Sequence, residues 1–129
     1  MTRAAAAMPT CLIVDDSATM RSIARKMLRQ LGYECEEAGD GAEALDRLRS
    51  RAADLVLLDW EMPGMDGLQT LKALRAEDWG RRPKVVMCTS LKEMERMVAA
   101  IDAGADEYVM KPYDTGILAG KLSAVGLPA

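Results

Sequence analysis

Short apolar runs alternate with longer stretches in which apolar residues return every three or four positions, and this alternation organises the whole chain. The runs at residues 10–14, 34–37, 55–58, 84–88 and 107–110 have the length and the β-branched or aliphatic content of strands. LVLL in the third and VVMC in the fourth carry no polar residue, which suits strands covered on both faces. Between the runs the period lengthens. Met20, Ile23, Ala24, Met27, Leu28 and Leu31 fall on one side of a first helix, with Arg21, Arg25, Lys26 and Arg29 on a side expected to be solvated. Asp40 with Glu43 and Ser90 with Glu93 have capping-box spacing and predict the starts of the second and fourth helices. Gly32 is placed to close the first helix. A third helix follows Asp66 and Gly67 and buries Leu68, Leu71 and Leu74; a fifth follows Asp114 and uses Ile117, Leu118, Leu122 and Val125. Strand and helix repeated in this way predict an α/β fold, a doubly wound five-stranded parallel sheet with five helices.

Length and composition narrow the reading. A chain of 129 residues suffices for one domain with a proper core, expected over residues 10–129. Residues 1–9 read as a flexible N-terminus, because MTRAAAAMPT lacks the long apolar region of a signal peptide. No apolar run reaches the ~18 residues of a bilayer crossing, so no membrane insertion and a cytoplasmic location are expected. A net charge of -3 argues against general nucleic-acid affinity, and no DNA partner is expected. Cys11, Cys35 and Cys88 lie in strand-like segments without metal-ligand spacing and read as buried, reduced thiols. The chain has no histidine, which removes the commonest general base and zinc ligand.

Candidate chemistry gathers at strand ends. Asp15 and Asp16 close the first run (CLIVDDS), Asp59 the third (LVLLDWEMPGMDG), Thr89 the fourth (VVMCTS) and Lys111 the fifth (YVMKP). In an open parallel sheet the site lies beyond the carboxyl ends of the strands, so these distant residues become neighbours. Clustered carboxylates repel and call for a cation. All-oxygen donors select a hard ion, Mg²⁺ with Mn²⁺ as the alternative, bound with modest affinity. An aspartate beside such an ion can accept a phosphoryl group, with the metal and Lys111 neutralising its oxygens.

On these motifs, from about residue 11 to 127, the chain resembles the receiver domain of bacterial two-component response regulators, in its stand-alone CheY-like chemotaxis form. The resemblance implies a flavodoxin-like sheet order of 2-1-3-4-5. It implies Asp59 as phosphoacceptor, Asp16 as direct metal ligand, Asp15 as a second acidic residue often acting through water, and Glu61 supplying its backbone carbonyl to the metal. Thr89 and Lys111 contact the phosphoryl oxygens, and the Lys111-Pro112 peptide is cis. Thr89 is the implied sensor, and its movement makes room for rotation of Tyr108, which taken alone is a half-buried strand aromatic. The implied partners are a CheA-like histidine kinase as donor and, as output, a flagellar motor switch protein or another downstream protein meeting the fourth helix, fifth strand and fifth helix. Met94, Met97 and Met110 fall there, as adaptable contacts or as core filler. The resemblance implies a signalling domain and not an enzyme, one that catalyses only its own Mg²⁺-dependent phosphorylation and dephosphorylation.

Two departures stand out. Glu61 replaces an amide of the chemotaxis receivers and is expected to tune phosphoryl lifetime by repelling or orienting the hydrolytic water or a phosphodonor. Tyr113 replaces a common Phe and is expected to give the output surface a hydrogen-bonding tip. Ser90 leaves a path for a phosphohistidine or serves only as a helix cap. The alternative readings are a phosphorelay or phosphate-sink receiver without its own output partner, and a CheY-like effector binding a cyclic dinucleotide through Arg81, Arg82, Lys92 and Arg96. A flavodoxin would need a hydroxyl- and glycine-rich loop in place of DDSA, and a haloacid-dehalogenase phosphatase an Asp in place of Glu61.

Overall fold

In the computed structural model, which describes residues 8–79 and 82–129, strands and helices alternate without exception: β1 Thr10–Val14, α1 Ala18–Gln30, β2 Glu34–Ala38, α2 Gly41–Ser50, β3 Leu55–Asp59, α3 Gly67–Ala76, β4 Lys84–Thr89, α4 Met94–Asp102, β5 Glu107–Met110 and α5 Thr115–Ala124. All pairings are parallel and the order is β2-β1-β3-β4-β5, as expected. The expected flexible segment at 1–9 lies outside the described residues up to position 7, while the Pro9 carbonyl accepts from Glu34 N at 2.9 Å.

Alternation along each strand sorts the core into two layers, because successive side chains of a strand point to opposite faces. Leu12, Val14, Val56, Leu58, Val85, Met87 and Tyr108 meet α2, α3 and α4 on one face. Cys11, Ile13, Leu55, Leu57, Val86, Cys88 and Val109 meet Ala24 and Leu28 of α1 and Leu118 and Leu122 of α5 on the other. The third strand is buried along its entire length, as its unbroken apolar run required. All three cysteines are buried and unpaired.

Helix caps follow the sequence at most ends. Asp40, Asp66 and Asp114 each accept a backbone N–H of the first turn, and Gly32 takes φ 94°, the left-handed conformation that closes a helix. The fourth helix departs. Its N-cap is Glu93, not Ser90, and makes no side-chain capping bond; the donors of Ser90 are turned toward Glu61. The first helix buries a narrower stripe than expected: Ala24 and Leu28 are enclosed, Met27 and Leu31 pack partly, and Met20 and Ile23 remain exposed. Its basic side is not simply solvated, since Arg21 and Arg25 both pair with Glu37 of the edge strand β2, at 2.9 and 2.6 Å. In α5, Ile117 is likewise exposed and Val125 is the C-cap.

Candidate phosphoacceptor and metal site

Strand register builds the site. Val14 stands opposite Leu58, so Asp15 and Asp16 follow β1 alongside Asp59. Asp59 stands opposite Cys88, so Thr89 is one step further, and Thr89 opposite Met110 sets Lys111 one step beyond β5. One carboxylate oxygen from each of Asp15, Asp16 and Asp59 lies within 4.8 Å of the others. Asp59 and Asp15 are buried and Asp16 is exposed. Three oxygen donors with one side open to water fit a hard divalent ion that keeps part of its hydration shell, as Mg²⁺ does.

The remaining contacts hold these carboxylates in place. Ser17 N donates to Asp15 Oδ1 at 2.9 Å, and Arg21 Nη1 donates to the Asp15 carbonyl at 2.6 Å. Lys111 Nζ donates to Asp59 Oδ1 and lies 3.7 Å from Asp15 Oδ2. The Lys111-Pro112 peptide is cis, and Lys111 N donates to the Thr89 carbonyl at 2.8 Å. Burial pushes the Asp59 carboxyl up to about 6; Lys111 opposes this, and the nearby Asp15 and Glu61 charges add to it. Burial by itself would lower the Lys111 ammonium, but its bond to Asp59 and the carboxylate charges raise it above the ordinary lysine value. The lysine therefore stays cationic at neutral pH beside the two carboxylates.

Thr89 is fully buried at the β4 end and donates through Oγ1 to Glu61 Oε2 at 2.7 Å. Ser90 N and Oγ donate to Glu61 Oε1, and Arg96 Nη1 to Oε2. Burial pushes the Glu61 carboxyl up, but these bonds and the Arg96 charge outweigh it and leave the group below the ordinary glutamate value. The Glu61 side chain thus faces Thr89, Ser90 and the first turn of α4. Ser90 is not the cap of the fourth helix; it is a second donor to the same carboxylate.

Tyr108 is buried rather than half-buried, its hydroxyl donating to the Leu91 carbonyl at 2.9 Å. Tyr113 does not present a polar tip to the output surface. It packs beside Cys88, and burial, with the neighbouring thiols, raises its hydroxyl. Met97 and Met110 pack partly on the core, whereas Met94 is 72% exposed. With Val98, Ile101 and Ile117 it gives α4 and α5 an exposed apolar face.

Three contacts went unread in the sequence. Arg21 braces Asp15 from one turn into α1, a placement that a basic residue shortly after DDS could have signalled. Arg96 meets Glu61 across 35 positions and stacks over Trp60 with its guanidinium 4.4 Å from the ring centroid, and no local pattern announces either contact.

Residues 11–123 match the model of the response regulator receiver domain family. The chain is 40% identical over 115 residues to chemotaxis protein CheY-3 of Vibrio cholerae, covering 88% of each. It is 39% identical to chemotaxis protein CheY of Pseudomonas aeruginosa over 115 residues, 88% of this chain and 93% of that one. Among solved structures, chemotaxis protein CheY4 of V. cholerae superposes with a TM-score of 0.86 at 32% identity, over 92% of this chain and 99% of that one. A CheY-like receiver from Methanospirillum hungatei gives 0.82 at 31%, over 91% and 92%. With the strand-end carboxylates, lysine and threonine in the places just described, the chain belongs to the response regulator receiver domain family and is of the CheY-like kind.

Proposed function

We propose that this receiver accepts a phosphoryl group on Asp59 from a CheA-like histidine kinase and thereby switches the binding of a downstream protein in chemotaxis, in the cytoplasm. The single observation that carries the reading is the convergence of Asp15, Asp16 and Asp59 with Lys111 hydrogen-bonded to the acceptor. Asp59 attacks phosphorus as the bond to the donor imidazole breaks and the imidazole nitrogen keeps the electron pair. Asp16, Asp59 and the backbone carbonyl of Glu61 would hold Mg²⁺ or Mn²⁺, with Asp15 acting through water, and the ion would neutralise charge on the phosphoryl oxygens. Lys111 takes up a second share of that charge. Thr89 then donates to the new group and Tyr108 responds through the fifth strand.

The exposed apolar face of Met94, Val98, Ile101 and Ile117 favours an output partner, such as a flagellar motor switch protein, over a pure phosphate sink. Chemotaxis is the role that the relatives' names carry. Against cyclic-dinucleotide binding, Arg96 is already engaged by Glu61 and Trp60; Arg81 lies outside the described residues. Trp60 adjoins Asp59 and serves as reporter. With Trp79→Phe in place, Mg²⁺ and then acetyl phosphate should each change Trp60 emission, and Asp59→Asn should abolish the response to acetyl phosphate. A response that survives Asp59→Asn refutes the assignment.

A further inference from the structure

The Glu61 carboxylate has both oxygens engaged. Oε2 accepts from Thr89 Oγ1 at 2.7 Å and from Arg96 Nη1 at 3.1 Å; Oε1 accepts from Ser90 N at 3.2 Å and Ser90 Oγ at 3.3 Å. Arg96 is held from its other side by the Trp60 ring. One side chain, two residues past the phosphoacceptor, therefore ties together the end of β3, the end of β4 and the first turn of α4.

A threonine hydroxyl has one proton to donate. Thr89 gives that proton to Glu61, so it can reach a phosphoryl oxygen only by leaving the carboxylate. The competitor is itself an anion, which makes the bond charge-assisted and stronger than a contact to an amide in the same place. When it breaks, Arg96 keeps a partner that has lost a neighbouring donor, on the same helix as the exposed Met94 and Val98 and two residues from each.

Building on the receiver reading above, we propose that Glu61 is a positioning residue: a built-in carboxylate latch that competes with the phosphoryl group for the Thr89 hydroxyl and passes its release to α4 through Arg96. The latch sets how much phosphoryl-like ligand is needed to switch the domain. It acts through Thr89, not by contact with the incoming group.

The test uses protein carrying Trp79→Phe, titrated with beryllofluoride at saturating Mg²⁺ and read by Trp60 emission, in four forms: otherwise unaltered, Glu61→Ala, Thr89→Val, and both. Loss of one charge-assisted hydrogen bond should lower the half-saturating beryllofluoride about tenfold in Glu61→Ala. That gain should disappear in the Thr89→Val background. An equal gain with and without the hydroxyl would mean that Glu61 only repels the incoming anion, and would overturn the latch. Should Thr89→Val not fold, Thr89→Ser must keep the gain and Thr89→Ala must lose it.

Amide exchange of α4 examines the second half of the proposal. Beryllofluoride should change it in the otherwise unaltered protein, and the change should fall by at least about half in Arg96→Ala, which removes the link between the latch and the helix. An α4 response unaffected by Arg96→Ala would overturn the transmission through that residue. No Asp59-dependent beryllofluoride signal in any form would overturn the receiver reading, whereas a normal signal with an unmoved Glu61→Ala titration overturns the latch alone.

Discussion

Replacing the phosphoacceptor by its neutral isostere should stabilise the metal-free protein. Asp59 is buried, and its carboxyl is pushed up from 3.8 to about 6 despite the Lys111 bond. Because the folded value lies above the unfolded one, the folded state holds the extra proton between those values. Its contribution is thus most favourable below about pH 4 and is lost as pH rises through about 6. At about 1.4 kcal/mol per unit, ionised Asp59 costs about 3 kcal/mol at neutral pH and about half of that at pH 5. Asn keeps the shape and still accepts from Lys111, but its amide is itself taken from water, which leaves a net gain of about 2 kcal/mol. For a domain of this size that is a rise in Tm of roughly 6 °C. Urea unfolding in a chelator, of the unaltered protein and Asp59→Asn at pH 7.5 and pH 5, should show the larger gain at the higher pH. Mg²⁺ should narrow the gap by stabilising the protein that keeps the carboxylate. An Asp59→Asn protein no more stable at pH 7.5, or one whose advantage grows toward pH 5, would refute the electrostatic reasoning.

Other expectations follow from single contacts. A Cβ on Gly67 would fall 2.3 Å from the Asp59 carbonyl oxygen and 2.6 Å from Trp60 Cα, so Gly67→Ala should cost about 1–3 kcal/mol in thermal or urea unfolding and weaken Mg²⁺ binding by displacing Asp59. The Tyr33 hydroxyl donates to the Pro128 carbonyl at 2.6 Å, so Tyr33→Phe should cost about 1 kcal/mol and speed amide exchange near the C-terminus while leaving Asp59 labelling unchanged. Burial raises the Cys11, Cys35 and Cys88 thiols, so a thiol reagent at pH 7.5 should react with them only as fast as the protein opens, and urea should release all three together.

The sequence-based reading succeeded where one periodicity had one outcome. Apolar runs of strand length, separated by helical stripes, admit few arrangements other than a doubly wound sheet, and each candidate acid sat at a strand end where such a sheet keeps its site. The failures came where one pattern served two masters. Ser90 and Glu93 have the spacing of a capping box, but Glu61 offers Ser90 a carboxylate and takes both of its donors. Arg21 and Arg25 look like a solvated stripe, yet β2 is an edge strand whose Glu37 lies within reach of α1. Tyr113 follows a Lys-Pro turn that suggests a surface position, yet it packs inward beside Cys88. The direction of the Glu61 side chain depends on Arg96 and Trp60, a contact that exists only once α4 has docked.

Whether Asp59 carries a phosphoryl group is tested most directly by incubating the intact protein with acetyl phosphate and Mg²⁺ and weighing it at once by mass spectrometry. A gain of one phosphoryl mass that survives acid, is lost in base, requires the metal and is absent from Asp59→Ala is the predicted result. An unshifted mass under saturating donor, or a label that persists in Asp59→Ala, would contradict it.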